Sequence, residues 1–487
     1  MTDPHAPSAD RAYLSVAEIE GRLAAGTLTS VALVTALLER IAAIDSPDST
    51  VGLRAIAALS SDALAVAAER DAERREGRLR GPLHGIPVVI KDNVEAIGLP
   101  GTAGSTALAG RPAREAPLVT RLREAGAILL ASTNLSQWAN IRSPRSTSGW
   151  SATGGLVGNP WALDRSAGGS SSGSGAALAA GLAPLAVGTE TDGSIVCPAS
   201  VCGVVGLKPT VGVVPATHVV PISASQDSPG PLGRRVADVA RMFGVLSASE
   251  APAERSLRFA FATTWRTDHP ATDELAEVIV TALRAAGHEV LDREVAVPGE
   301  AEGKDELTVL LAELSDDLTD YLARRPGAGV TSLAEVIEWE NDHAESELAH
   351  FGHELFEAAL ATGGRAGEEY EAARRRNLAW AIDTCLQPAL EGVDVLLAPA
   401  YGPSWKSDLA VGGHPGPASP ATTPAAIAGW PIMSVPIGLV HGLPVGLAIL
   451  GRAHDEWTVL AAGRVIESLV DARGALGRPT WETPTRG

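Results

Sequence analysis

At 487 residues with a formal charge of −19, the chain repels phosphate backbones and anionic lipid surfaces, which excludes nucleic acid and acidic membranes as partners. Hydrophobic residues make up 45% of it and aromatic residues 4%, while 51 glycines and 33 prolines punctuate it. That mixture excludes wholesale disorder and describes a body packed with aliphatic side chains and closed by many tight turns.

Residues 1–12 are polar and acidic, and read as a flexible tail without a secretory layout, so the expected location is the cytoplasm. "SVAEIEGRLAAG" and "TSVALVTALLERIAAID" read as amphipathic helices, with Ser15 and either Thr29 or Ser30 as N-caps. A third helix is expected over 62–76, and a buried strand over 85–93, "GIPVVIKDN". Helix and strand then alternate: "APLVTRLREAG" before "AILLAST", the helix after Gly173 before "LAVGTET", and the helix 272–287 before "HEVLDREV". The segment "NPWALDRS" reads as a turn. Residues 303–392 are charged and helical, an expected insertion or cap, after which "VDVLLAPA" and "PIMSVPIGL" return to buried strands. The order implies an α/β protein with a mostly parallel or mixed sheet. Without repeats or low-complexity linkers, residues 1–487 are expected to form a single domain.

Metal and membrane chemistry have little to stand on. Cys197, Cys202 and Cys385 are too few and too unevenly spaced for a disulfide framework or a zinc site. His343, His350 and His353 are offset by seven and three, which places them along one helix side in structural or substrate-lining roles. The apolar run "AALAAGLAPLAVG" is broken by Gly181 and Pro184, too short to span a bilayer.

Chemistry concentrates in two glycine- and serine-rich loops, "AGGSSSGSGAALAAG" (167–181) and "GTETDGSIVCPAS" (188–200). The first lacks the lysine of a phosphate-binding loop, and no strand is read before it as a dinucleotide fingerprint requires. Two such loops joined by a buried helix and strand suggest one pre-organised site whose backbone N–H groups converge on an anion. A serine nucleophile needs a base, yet no histidine lies near either loop and no GxSxG elbow appears. Lys91 ends the apolar run "IPVVI". It is either a strand-end residue reaching water or a buried amine whose charged form is disfavoured.

Five segments carry a specific resemblance: "GPLHGIPVVIKDN", "TNLSQWAN", "GGSSSGSGAALAAG", "GTETDGSIVCPASVCGVVGLKPT" and "AGWPIMSVPIGLVHGLPVGL". From about residue 15 to 470 the chain resembles the amidase signature hydrolases, and "SQWANIRS", "SGWSATGG", "TETDGSIVCPA" and "PISASQDSPGP" bring it nearest to bacterial peptide amidases. The resemblance implies the amidase signature fold, a large twisted mixed sheet surrounded by helices. It implies a Ser–cis-Ser–Lys triad without metal or cofactor: Lys91 the base, Ser170 the bridging serine on a cis peptide, Ser194 the nucleophile. The two serines are 24 positions apart (194 − 170), as in the family. Backbone N–H groups of Thr191, Asp192, Gly193 and Ser194 would meet the oxyanion. Ser171 and Ser172 are read mainly as helix caps, Asp192 as a turn former or loop tuner, and Cys197 as packing. Trp138, Asn140, Trp150, Tyr401, Trp405 and Trp430 are candidates for the pocket.

The implied reaction is hydrolysis of a small-molecule amide through an acyl-enzyme, with C-terminal peptide amides as the first substrate reading. Aryl acylamide or carbamate (urethane) hydrolysis is the alternative with the same triad. A non-hydrolytic scaffold or an amidotransferase subunit is the alternative of another class. Val196 stands where many members carry arginine and Ala448 where glutamine is frequent, which together with the acidic charge weakens the amidotransferase reading.

Overall fold

The computed structural model describes residues 11–49, 51–110, 114–253, 255–327, 329–412, 416–472 and 476–479. Eleven strands share one sheet: β1 (Ile56–Leu59), β2 (Pro87–Lys91), β3 (Ile128–Thr133), β4 (Leu185–Glu190), β5 (Val205–Lys208), β6 (Ser228–Gly233), β7 (Phe259–Ala262), β8 (Val290–Arg293), β9 (Val395–Pro399), β10 (Ile432–Val440) and β11 (Leu443–Leu450). Their order across the sheet is β1-β3-β2-β4-β6-β5-β10-β11-β9-β7-β8. Strand β2 runs parallel to β3 and β4, and β7 parallel to β8 and β9; the other pairings are antiparallel. The sheet is therefore mixed, as the alternation of elements implied.

Strands β2, β3 and β4 are buried at every position, which explains their continuous apolar runs: helices cover both faces, so no face alternates toward water. Ser15 caps the helix Val16–Ala24 and closes a capping box with Glu18, while Thr29, not Ser30, caps Ser30–Ile44. Among the described residues, no helix is long and apolar enough to cross a membrane.

Three expectations are corrected. Residues 1–10 of the expected tail lie outside the described residues, but Arg11 and Ala12 are helical and Ala12 is buried. The cause is Tyr13, which accepts from Arg40 at 3.2 Å and lies beneath the guanidinium of Arg234. The segment read as a turn is a hairpin of Gly158–Asn159 with Ala162–Ser166. The Asn159 amide closes it, donating to Ser166 O and accepting from Trp161 N. The three histidines do not share a helix side, because the chain leaves the helical path at His343 and again before His353. His343 stacks on Trp339, His350 sits edge-on to Trp150, and His353 Nδ1 bonds Glu340 at 2.9 Å.

The helical segment begins at Glu300 and docks on the loop after β3. Leu314, Leu318, Leu333, Val336 and Phe356 pack with Trp138 in one apolar cluster. Beside it the fully buried Arg142 lies 3.5 Å from Glu340, donates to the backbone carbonyls of Glu347 and Phe351, and covers the Phe351 ring. Losing one partner of a buried ion pair leaves a charge without water or counter-charge. Arg142→Ala is therefore expected to lower unfolding stability by about 3–5 kcal/mol in a denaturant titration, and a loss under about 1 kcal/mol would show that Glu340 is held by its other donors.

Candidate active site

Because β2 and β4 are parallel neighbours, their carboxyl ends meet at one edge of the sheet, where loops diverge and leave room for a ligand. Lys91 closes β2 and Glu190 closes β4. The aliphatic run of β2 carries the Lys91 amine wholly out of solvent. There Nζ donates to Ser170 Oγ at 2.7 Å, Thr189 Oγ1 at 2.9 Å and Thr189 O at 3.2 Å. Burial pushes its pKa down to about 7, while Asp227 and Glu190 act to keep it charged. The two readings of Lys91 thus resolve to a buried amine.

Ser170 lies in the turn between the hairpin and the helix Ser172–Ala179, after a cis Gly169–Ser170 peptide. Gly168 has φ +70°, and a Cβ there would stand 2.9 Å from Val201 and 3.0 Å from Cys197 Sγ, so only glycine lets the turn approach so closely. The following serines do not cap the helix, contrary to expectation. Ser171 Oγ donates to Thr189 O and accepts from Thr189 N, Ser172 Oγ donates to Gly168 O, and Ser174 Oγ donates to Val187 O. Ser171 and Ser174 act as rungs to the backbone of β4, while Ser172 ties the turn to itself. Ser171 N also donates to Ser194 O at 3.1 Å, which joins the two loops.

Glu190 organises the second loop. Its Oε2 accepts from Ile195 N at 2.6 Å and Val196 N at 2.8 Å, at the start of the helix Val196–Cys202. Thr191 Oγ1 donates to Asp227, and Thr423 Oγ1 donates to Asp192 Oδ2. The backbone N–H groups of Thr191, Asp192, Gly193 and Ser194 meet no acceptor among the described residues. Successive N–H groups left free in this way are what an anion-binding nest requires. Burial raises the pKa of Glu190, with Lys208 opposing, and that of Asp227 to about 6. Sequence reasoning passed over Glu190, Thr189 and Asp227. A buried acid ending an apolar strand in "GTETDGS" was the available signal for Glu190; Asp227 gave none.

A cleft of about 500 Å³ opens over Ser194, which is 8% exposed. Asn140, Tyr401 and Trp405 line it. Trp138, Trp150 and Trp430 do not: Trp138 is buried with its Nε1 bound to Glu340, Trp150 packs against Arg142 and Phe351, and Trp430 packs against an apolar cluster and gives its carbonyl to Lys208. Asp192 is the one charged residue among the described residues that line the cleft. Cys197 also borders it, but burial pushes its thiol up to about 12, so it holds no reactive thiolate.

The chain matches the amidase family over residues 32–460. It resembles native peptide amidase from Stenotrophomonas maltophilia, with 41% sequence identity and a TM-score of 0.88 over 96% of this chain and 99% of that one. A putative amidase of Schizosaccharomyces pombe is 31% identical over 94% of this chain and 85% of its own length. A glutamyl-tRNA(Gln) amidotransferase subunit of Chloroflexus aurantiacus is 33% identical over 94% of this chain and 97% of its own.

Gly193 offers a direct test of the loop. Its φ is +77°, and an added Cβ would stand 2.5 Å from Tyr401 Oη. Gly193→Ala must displace either the N–H row or the tyrosine, and hydrolytic kcat is expected to fall on the order of 10²-fold with the thermal transition retained. Full activity in steady-state assays would mean that this row of donors is not used.

Proposed function

The chain belongs to the amidase family, and on that premise we propose that this carbon–nitrogen hydrolase hydrolyses the C-terminal carboxamide of peptides to the acid, releasing ammonia through a Lys91–Ser170–Ser194 relay. The observation that carries the reading is the 2.7 Å contact from a solvent-free lysine amine to the hydroxyl of Ser170.

In the relay, neutral Lys91 keeps its two N–H bonds for Thr189 O and Oγ1 and offers its lone pair to Ser170, whose hydroxyl then donates across the 2.7 Å contact and accepts the proton of Ser194. A hydroxyl suits the middle position because it donates and accepts at once. Ser194 Oγ attacks the carbonyl carbon, and the carbonyl oxygen takes the developing charge among the N–H groups of residues 191–194. Donors of this kind contribute roughly 3 kcal/mol each in comparable sites. Collapse breaks the carbon–nitrogen bond, and the proton returns along the relay to the leaving ammonia. Water then adds to the acyl-ester, giving its proton to the same relay, and the peptide leaves as a carboxylic acid with Ser194 restored.

Substrate choice rests on the cleft and on likeness. Among the described residues that line the cleft none is cationic, so it offers a carboxylate no counter-charge and suits a neutral carboxamide. The likeness to peptide amidase extends over nearly the whole of both chains. Against transfer of ammonia to charged tRNA stand the buried valine at position 196 and the overall charge of −19.

Two outcomes are expected. Purified enzyme releases ammonia from peptide amides, with Ser194→Ala and Lys91→Ala each lowering kcat by about 10³-fold or more. Activity confined to anilides or aryl carbamates would overturn the peptide-amide reading. The second concerns pH: Lys91 is the base only when unprotonated, so kcat/KM is expected to rise about tenfold per pH unit below about 7 and level off above it. A profile flat from acid to alkaline pH would remove Lys91 from the role of base.

A further inference from the structure

The cleft that opens over Ser194 is lined by residues with polar oxygens that have no hydrogen-bond partner among the described residues. Asn140 Nδ2 donates to Ser148 Oγ at 3.1 Å, which orients the amide and leaves Oδ1 buried with no protein partner among the described residues. Asp192 Oδ2 accepts from Thr423 Oγ1 at 3.0 Å and Thr422 also acts on the carboxyl group, while Oδ1 is equally buried and makes no hydrogen bond among the described residues. Ser146 Oγ, also in the cleft wall, is a third such atom, but a hydroxyl takes either role. The amide oxygen only accepts; burial favours the neutral acid at Asp192, whose carbonyl oxygen likewise only accepts. Buried acceptors left unsatisfied are costly, and a native fold keeps them where something else answers them.

The backbone at this wall is held in an unusual shape. Trp138, Ala139 and Asn140 have φ of 49°, 53° and 75°, three successive non-glycine residues in the left-handed region. Trp138 N bonds Ala103 O, and Trp138 Nε1 bonds the buried Glu340, so the docked helical segment enforces the conformation that brings Asn140 to the cleft. Backbone held this way gathers at functional sites.

A primary carboxamide presents one acceptor and two donors. The N–H row of residues 191–194 answers the acceptor. Resting on the peptide-carboxamide reading above, we propose that Asn140 Oδ1 and Asp192 Oδ1 receive the two N–H hydrogens of the scissile –CONH2 group. These residues make the enzyme selective for primary amides over esters and N-alkyl amides. An ester brings no hydrogen to either oxygen, and an N-methyl amide brings one together with a methyl group that the second oxygen has to accommodate. A site built to hydrogen-bond a group rejects analogues that lack it, because its own buried atoms are then stranded.

One peptide prepared as primary amide, N-methyl amide and methyl ester tests this with wild type, Asn140→Gly and Asp192→Ala. Glycine keeps the left-handed backbone at 140 and removes only the side chain. Each substitution is expected to lower the ratio of kcat/KM for the primary amide to that for the ester on the order of tenfold. The ratio is taken within one preparation, so it does not depend on the folded fraction. Should either variant fail to fold, Asn140→Ser and Asp192→Ser are read by the same ratio. A ratio unchanged within about twofold, whether both activities fall together or neither does, overturns the assignment. Wild-type enzyme inactive on the primary amide but active on anilides overturns the carboxamide reading itself, and the variants do not produce that result.

Discussion

A lysine amine without solvent contact, 2.7 Å from a serine hydroxyl, is the interaction on which the rest of the site depends. In water at neutral pH a lysine side chain is protonated and has no lone pair to offer as a base. Strand β2 changes that by carrying the side chain into a region covered on both faces, where the charged form loses its hydration. Asp227 and Glu190 limit the effect, which leaves the amine near neutrality rather than permanently uncharged. The parallel pairing of β2 with β4 then delivers the second loop to the same edge.

The second constraint is the accounting of backbone N–H groups around Ser194. Glu190 takes those of Ile195 and Val196, and so separates donors used by the fold from donors left to a ligand. The serine rungs do the equivalent for the first loop by binding it to β4 rather than to its own helix. Both loops are stiffened by side chains that belong to them, and Ser171 N to Ser194 O ties one to the other. The helical segment from Glu300 adds a third element. Through Trp138, Glu340 and Arg142 it fixes the wall opposite, which is why its packing bears on substrate choice as well as on stability.

Much of this was legible in residue order. Apolar runs at 87–91, 128–133 and 185–190 named the buried strands because helices on both faces remove any alternation, and Ser15 and Thr29 named helix starts through their hydroxyls. Other features were not. Ser171 and Ser172 looked like caps because a hydroxyl before a helix usually bonds its first turn, and only the nearness of Thr189 to the one and of Gly168 O to the other redirected them. The tryptophans divided for the same kind of reason: Trp138, Trp150 and Trp430 found partners in packed layers, whereas Trp405 reached the cleft. Aromatic identity alone carries no information about which side of a wall a ring faces.

The sequence by itself determined the family, the α/β class, and the residue types that concentrate at the site: one lysine ending an apolar strand and two serine loops 24 positions apart at Ser170 and Ser194 (194 − 170). Those are local properties, written in periodicity and motif. Only the tertiary structure decided that Lys91 meets Ser170, that Glu190 and Asp227 set the field around the amine, and that Asn140 and Asp192 line one cleft. Burial and hydrogen-bond satisfaction are sums over neighbours distant in the chain, and no stretch of sequence contains its own surroundings.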